Sequence, residues 1–390
     1  MKKLLFLSGE EFPNPYLSLD LIFNHYLRAK GIQTLWVMPS RKTRKIYTST
    51  WKENPLILFP KISSLHPLYP LRLRSLLQRA LNQISGEHLD GVWVRDNPVM
   101  AWVGYKLARE RKIPFFYRIS HLKEEESLLY SRMGLGPRLP NWLRGKTGRL
   151  MRDFFLKRAD LVIPISSKME HYFRKRLNLN STFLLPEGVD GGINPEDYDS
   201  AAHRWKGKIA PGGERIVSYI GVLSRFRRSE FLLEVLSLLP RNYVLAIAGW
   251  ERDPGYTEKL LNRARRMGLD GRVKFLGFLP REEVYALIRA SWAGISPFPP
   301  NPVLVHNSPI KPMEFIMMKR PVVSSQVPDS EEIIRKTGGG SVCPWDPRCF
   351  SEALQGLEGL PLDKAREVLV EERDLGVLAE KLYRRLSLVV

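Results

Sequence analysis

The sequence predicts an α/β protein built from two doubly wound, mainly parallel sheets. Three observations predict it. Short apolar runs alternate with amphipathic helical stretches along both halves, which is the signature of βαβ units. The composition shifts once, from Asp190 to Glu214 (DGGINPEDYDSAAHRWKGKIAPGGE), to a polar stretch rich in Gly and Pro. The 390 residues, 44% hydrophobic and 26% charged, give room for two soluble domains of ordinary size. The expected organisation is a first domain over 1–190, a linker over 191–214, a second domain over 215–361 and a C-terminal helical segment over 362–390.

In the first half, residues 4–8 read as a strand, followed by the loop 9–15 and a helix from about Leu17 to Lys30, ended by Gly31. Strands follow at 33–38 and 56–59. The run GVWVR (91–95) is a strand leading into a helix over 99–111. Residues 113–117 form another strand, which runs into Arg118-Ile119-Ser120-His121. LVIPIS (161–166) is a strand with a helix over 168–177, and 183–186 ends in a turn. In the second half, strands at 216–220, 244–248, 273–276, 293–296 and 322–325 alternate with helices at 229–239, 256–267 and 281–290 and with a helix around Glu314. The segment from about 362 to 388 is helical and charged.

The bulk numbers exclude several classes. The start MKKLLFLSGEEF has an apolar core of only four residues before acidic ones, too short for a signal peptide, and reads as a first buried strand. No run approaches the ~18 apolar residues of a spanning helix, and a cytoplasmic location is expected. Cys343 and Cys349 fit neither a disulfide framework nor a zinc site, and free thiols are expected. The net charge of +20 favours an anionic partner: nucleic acid, a bilayer surface or a phosphorylated substrate.

The stretch from Ser308 to Pro347 is the most informative. Lys311 lies in a Ser-Pro loop, Glu314 stands at the head of an apolar helix, and Arg320-Pro321 then leads into the strand Val322-Val323-Ser324-Ser325. That order puts a helix start at the carboxyl edge of a parallel sheet, where open α/β sheets bind ligands and free N–H groups suit phosphate oxygens. Earlier, a strand ends at Gly221 and a basic loop with Arg225, Arg227 and Arg228 precedes the next helix. Guanidinium groups there can pair with a diphosphate.

These segments resemble the nucleotide-sugar signature of GT-B glycosyltransferases, nearest the retaining enzymes of family 4. The resemblance rests on Pro309, Lys311, Glu314, residues 319–323, Gly338 to Gly340 and Asp346-Pro347. It implies two Rossmann-like domains facing a central cleft, with the donor on the second domain, the acceptor on the first, and the last helix returning to the first. It also implies retention of configuration and no metal or other cofactor, since cationic side chains and helix dipoles replace a divalent ion.

By the same resemblance, Glu314 holds the donor ribose and Lys311 reaches phosphate. Arg225 or Arg227, with Arg228 as a further candidate, meets the diphosphate after Gly221, and Arg225 carries a catalytic role. The family's usual Arg after the glycine is Val222 here. The family's earlier Glu is replaced by His306, so His306, Asn307 or loop backbone near Ser308 contacts the sugar. Gly9 passes close to phosphate, while Glu10 and Glu11 are expected to face acceptor hydroxyls or solvent. Phe278, after Gly277, lies where backbone reads the base, which leaves UDP and GDP both open. His121, just past a strand end, is the second catalytic candidate, and Glu124, Glu125 and Glu126 are expected to form a solvated acidic face.

Two basic segments, 65–84 and 132–158, interleave cations with apolar residues, a composition suited to an anionic bilayer. Arg72, Arg74, Arg79, Arg138, Trp142, Arg144, Lys146, Arg149 and Arg152 are the expected contacts. The whole reads as a cytoplasmic enzyme, peripheral on the inner face of the cell membrane. It moves a hexose-type sugar from a UDP- or GDP-sugar to a lipid-linked or glycan acceptor. No motif supports nucleic acid. The alternatives are a GT-B enzyme of other chemistry, such as an epimerase or phosphorylase, and a basic non-enzymatic protein binding nucleic acid or membrane.

Overall fold

The computed structural model describes residues 1–13, 16–63, 66 and 68–389. The chain divides into two compact units, Met1–Pro186 together with the chain from Leu375 onward, and Glu187–Asp374. Each has its own α/β core.

The first unit contains strands β1 (Lys2–Ser8), β2 (Ile32–Ser40), β3 (Tyr47–Trp51), β4 (Asn54–Pro60), β5 (Gly91–Arg95), β6 (Phe115–Ile119) and β7 (Leu161–Pro164), in the spatial order β3-β4-β2-β1-β5-β6-β7. All pairs are parallel except β3 with β4. Strand β4 covers the expected strand at 56–59, whereas β3 and the hairpin that joins it to β4 were not among the expected elements. The hairpin's turn residues Lys52 and Glu53 both take positive φ, +47° and +63°, as a tight hairpin requires, without the Asn-Gly pair that advertises such turns. The order reverses between β1 and β5, so the switch point of this sheet lies at the carboxyl ends of those two strands. Part of the expected 9–15 loop and the start of the 65–84 segment fall outside the described residues.

The second unit holds β8 (Arg215–Ile220), β9 (Tyr243–Ala248), β10 (Val273–Gly277), β11 (Ala293–Ser296), β12 (Val322–Ser325) and β13 (Gly340–Cys343), in the order β10-β9-β8-β11-β12-β13, all parallel. Its switch point lies between β8 and β11. The strand β13 was not among the expected elements; the glycine run before it supplies the helix end at Gly338, φ +68°, and then enters the sheet.

The linker reading of 191–214 is corrected. Residues 195–198 form a short 3-10 turn and Asp199–Ile209 a helix, both within the second unit. Ile209 is buried in that unit's core. The Trp205 indole N–H donates to Glu283 at 2.8 Å, and Arg289 pairs with Asp199 at 2.6 Å. The Gly- and Pro-rich ends concealed an amphipathic stretch between them. The C-terminal segment also divides. Leu362–Arg373 stays with the second unit, and a break at Asp374 frees Leu375–Leu386, whose Leu375, Leu378, Ala379, Leu382 and Leu386 join Leu4, Phe6 and Trp36 in the first unit's core.

Candidate functional site

In the second unit the helix Ile310–Met317 follows β11 and lies on the sheet because Gly294 has no side chain. A Cβ there would come within 2.5 Å of the Phe315 ring. Phe315, Ile316 and Met317 are all buried in this unit's core, which fixes the neighbouring Glu314 at the carboxyl edge. The Glu314 carboxylate is 10% exposed and forms an ion pair with Lys311, one helical turn earlier. Burial, reinforced by the Glu314 charge, raises the Tyr285 phenol above its ordinary range. The two residues expected to face nucleotide thus form one anionic–cationic pair.

The basic loop follows β8. Gly249, at the end of β9, has φ +150° and sits so close to Gly221 that a Cβ would lie 1.9 Å from the Gly221 carbonyl oxygen; only glycine fits there. The loop is held by its own backbone. Leu223 N–H donates to the Trp250 carbonyl at 3.0 Å, Arg225 N–H to Asp253 at 2.8 Å, and Arg227 N–H to Ser224 Oγ at 3.1 Å. Tyr219 O–H donates to the Val222 carbonyl at 2.9 Å. The three arginines diverge. Arg225 is exposed, the Arg227 guanidinium lies 5.0 Å from the Phe298 ring centre, and the Arg228 guanidinium 5.6 Å from that of Trp345. Trp345 stacks on Phe231 at 3.9 Å. Arg227 therefore leans toward the loop after β11, across the switch point, while Arg228, whose own φ is +51°, turns to the Trp345 side.

Of the remaining donor candidates, Gly221 lies at the end of β8 and Phe278 projects 73% exposed just past β10. His306 is buried in a short 3-10 turn that leads to Asn307. The Ser308 side chain is engaged within the second unit. Its hydroxyl donates to Asp329 at 2.6 Å and accepts from the Glu187 N–H at 3.2 Å, and Asp329 in turn pairs with Arg373 at 2.8 Å. It belongs to a buried scaffold network.

In the first unit, the carboxyl ends of β1, β5 and β6 gather Gly9, Glu10, Asp96, Asn97, Ser120 and His121. A side chain on Gly9 would meet Asn97 at 3.3 Å. Sequence reasoning missed Asp96, which directly follows β5 with φ +55° and a buried carboxylate. It accepts from Ser120 N–H at 2.6 Å, from the Ser120 hydroxyl, and from His121 N–H at 3.4 Å. Burial opposes its charge, but Lys123, Arg95 and the Ser120 bonds outweigh it and hold the carboxyl below the ordinary aspartate range. Lys123 reaches Glu10 at 3.5 Å; burial works against its ammonium charge, yet Glu10 and Asp96 raise it above the ordinary lysine range. The rule that sites form where strand order reverses would have pointed to Asp96, but that order is not visible before the fold is known.

Glu11, partly exposed, is ion-paired with Lys61 at 2.5 Å and with Arg41 at 3.3 Å. The next acidic residues depart from expectation. Glu124, Glu125 and Glu126 do not form a solvated face. Glu124 and Glu125 bond to Arg152 at 2.7 and 2.5 Å, and Glu126 pairs with the His121 ring.

The expected membrane residues are sorted by the helix Arg138–Leu156. Its buried face is Asn141, Gly145, Arg152, Phe155 and Leu156, and Gly145 packs on Glu124 and Leu128 of the helix Lys123–Met133. Arg152 is therefore corrected: its side chain is 1% exposed and fully engaged with acids. Arg149 lies near Glu125 and Asp153, Arg144 bonds Ser127 and Asn141, and Arg74 covers Trp102 at 4.2 Å. Arg72, Arg79, Arg138 and Lys146 are exposed, and so is an apolar stripe of Leu139, Trp142, Leu143, Leu150 and Phe154. In the helix Tyr69–Asn82, Leu73 and Leu77 point into the core instead. Among the described residues, no helix is long and apolar enough to cross a membrane.

Residues 214–358 match a family model described as glycosyl transferases group 1. No curated protein sequence matches the chain. Among solved structures, a sucrose-phosphate synthase from Thermosynechococcus elongatus is similar with a TM-score of 0.78 at 16% identity, over 100% of both chains. Anabaena HepE in complex with UDP gives 0.70 at 18%, over 99% of this chain and 100% of that one. A UDP-forming trehalose-phosphate synthase from Burkholderia xenovorans gives 0.72 at 14%, over 100% and 99%. The chain therefore has the GT-B fold, and residues 214–358 of its second unit are similar to the glycosyl transferases of group 1.

Proposed function

We propose that the protein is a retaining glycosyltransferase that moves a hexose from a UDP-sugar to a lipid-linked or glycan acceptor at an anionic membrane surface. The observation that carries the donor half is the edge of the second unit: the Glu314–Lys311 pair on one side of the β8–β11 switch point, and the basic loop with Arg225 and Arg227 on the other. A carboxylate accepts from two vicinal ribose hydroxyls, and cations placed at the diphosphate stabilise the charge that develops as it leaves. UDP is favoured over GDP because similar structures are described with UDP or as UDP-forming. His121, on the first unit, acts at the reacting carbon.

The membrane half rests on the stripe Leu139, Trp142, Leu143, Leu150 and Phe154, flanked by Arg138, Lys146, Lys157 and Arg158 and backed by a net charge of +20. Apolar groups on one helix face, ringed by cations, suit the boundary between headgroups and acyl chains.

The test is a panel of UDP- and GDP-sugars followed by thermal shift, then turnover on lipid-linked and soluble sugar acceptors, with and without EDTA. Stabilisation by UDP-sugars and EDTA-resistant transfer to a lipid-linked acceptor are expected. Transfer to a soluble sugar phosphate alone would displace the membrane half of the reading. Loss of activity in EDTA with rescue by magnesium would displace the metal-free mechanism.

A further inference from the structure

Three consecutive carboxylates open the helix Lys123–Met133, and they do not act alike. Successive residues on a helix point about 100° apart. Glu124 and Glu125 turn to Arg152 and fasten this helix to the helix Arg138–Leu156. Glu126, on the next bearing, is 9% exposed at its side chain and turns back to the imidazole of His121, Nε2 facing Oε2. The main chain of His121 is held independently, by its N–H on the Asp96 carboxylate and by the bonds from Ser120 to the same group. The histidine is thus anchored twice, by the end of β5 through its backbone and by the following helix through its ring. A second, buried carboxylate on a ring nitrogen fixes which nitrogen carries the proton and where the ring points.

We propose that Glu126 is a positioning residue: it holds the proton on Nε2 of His121 and aims the ring for transfer. This rests on the reading that His121 acts at the reacting carbon, and the experiment separates the two. Imidazole nitrogen resonances of His121 are assigned in the full-length protein by comparison with His121→Ala, then recorded for wild type, Glu126→Gln and Glu126→Leu. Wild type is expected to show Nε2 protonated. Glu126→Leu should lose that preference and lower kcat by about 100-fold, the cost of a misaimed group, with nucleotide affinity unchanged. Glu126→Gln, whose amide oxygen still accepts, should fall between.

An Nε2 without its proton in wild type, or a nitrogen pattern that Glu126→Leu leaves unchanged, overturns the proposal. So does a loss of nucleotide affinity equal to the loss of rate. Should Glu126→Leu fail to fold, the wild-type tautomer and the Glu126→Gln spectrum decide alone. If His121→Ala keeps full turnover while Glu126 still sets the tautomer, the catalytic reading of His121 fails and the positioning geometry stands.

Discussion

Glu314 is held at the carboxyl edge of the second sheet by its neighbour Phe315, which is seated on Gly294. Glu314→Ala should therefore leave the fold intact, remove charge-assisted bonds to the donor at a cost of about 1.5–3 kcal/mol, and leave Lys311 without its partner. Isothermal titration with UDP measures this, and wild-type affinity in the variant would remove Glu314 from the site. Asp96 makes a different kind of prediction. Its folded pKa is depressed, so the stability it contributes is present above the ordinary aspartate value near ~3.9 and is lost as pH falls through the lower folded value. Asp96→Asn should accordingly unfold at lower temperature than wild type at neutral pH, and the gap should close as pH drops below about 4. A gap that persists unchanged to pH 3 would show that the carboxylate charge is not what Ser120 and His121 bond. Glu314, Lys311 and the arginines were legible in the sequence because they sit in a punctuated order of loop, helix and strand. Asp96 and Glu126 were not, because their meaning comes from what β6 and the next helix bring beside them.

Elements were legible where periodicity was clean. Residues 91–95, 281–290, 293–296 and 322–325 occur with the expected bounds. The misreadings of charged side chains share one cause: polarity alone does not say which face of a helix a residue occupies. Arg152 counts as a surface cation in any list, yet the helix Arg138–Leu156 turns it inward against Glu124, Glu125, Asp153 and the Phe173 ring. Burial pushes the Glu124 carboxyl above its ordinary range while Arg152 pulls it back. Arg152→Ala should therefore leave buried acids uncompensated and destabilise the first unit by about 3–5 kcal/mol, seen as a lower denaturation midpoint in urea. Reversing the outward face should do the opposite: Leu150→Glu with Lys146→Glu should leave that midpoint near wild type and abolish flotation with anionic liposomes at low salt. Flotation unchanged by that pair would turn the apolar stripe toward another partner.

For the whole molecule, the second unit is entered at Glu187 and left at Asp374, and these ends lie together. Val189 N–H donates to the Arg373 carbonyl at 2.9 Å, Gly191 N–H donates to the Asp374 carboxylate at 2.7 Å, and Arg373 bonds the Glu187 carbonyl at 3.2 Å. The pairing of Val189 with Asp374 makes a small parallel bridge at the threshold of the unit. Gene-level rearrangement has a simple target in such a layout. The second unit is a cassette with adjacent ends, so cutting before Glu187 and after Asp374 should release a piece that closes on itself, and, on the proposed function, the matching unit from another enzyme of the same architecture should graft with only two seams. A chimaera made this way should keep the acceptor preference of its host and take the donor preference of its insert.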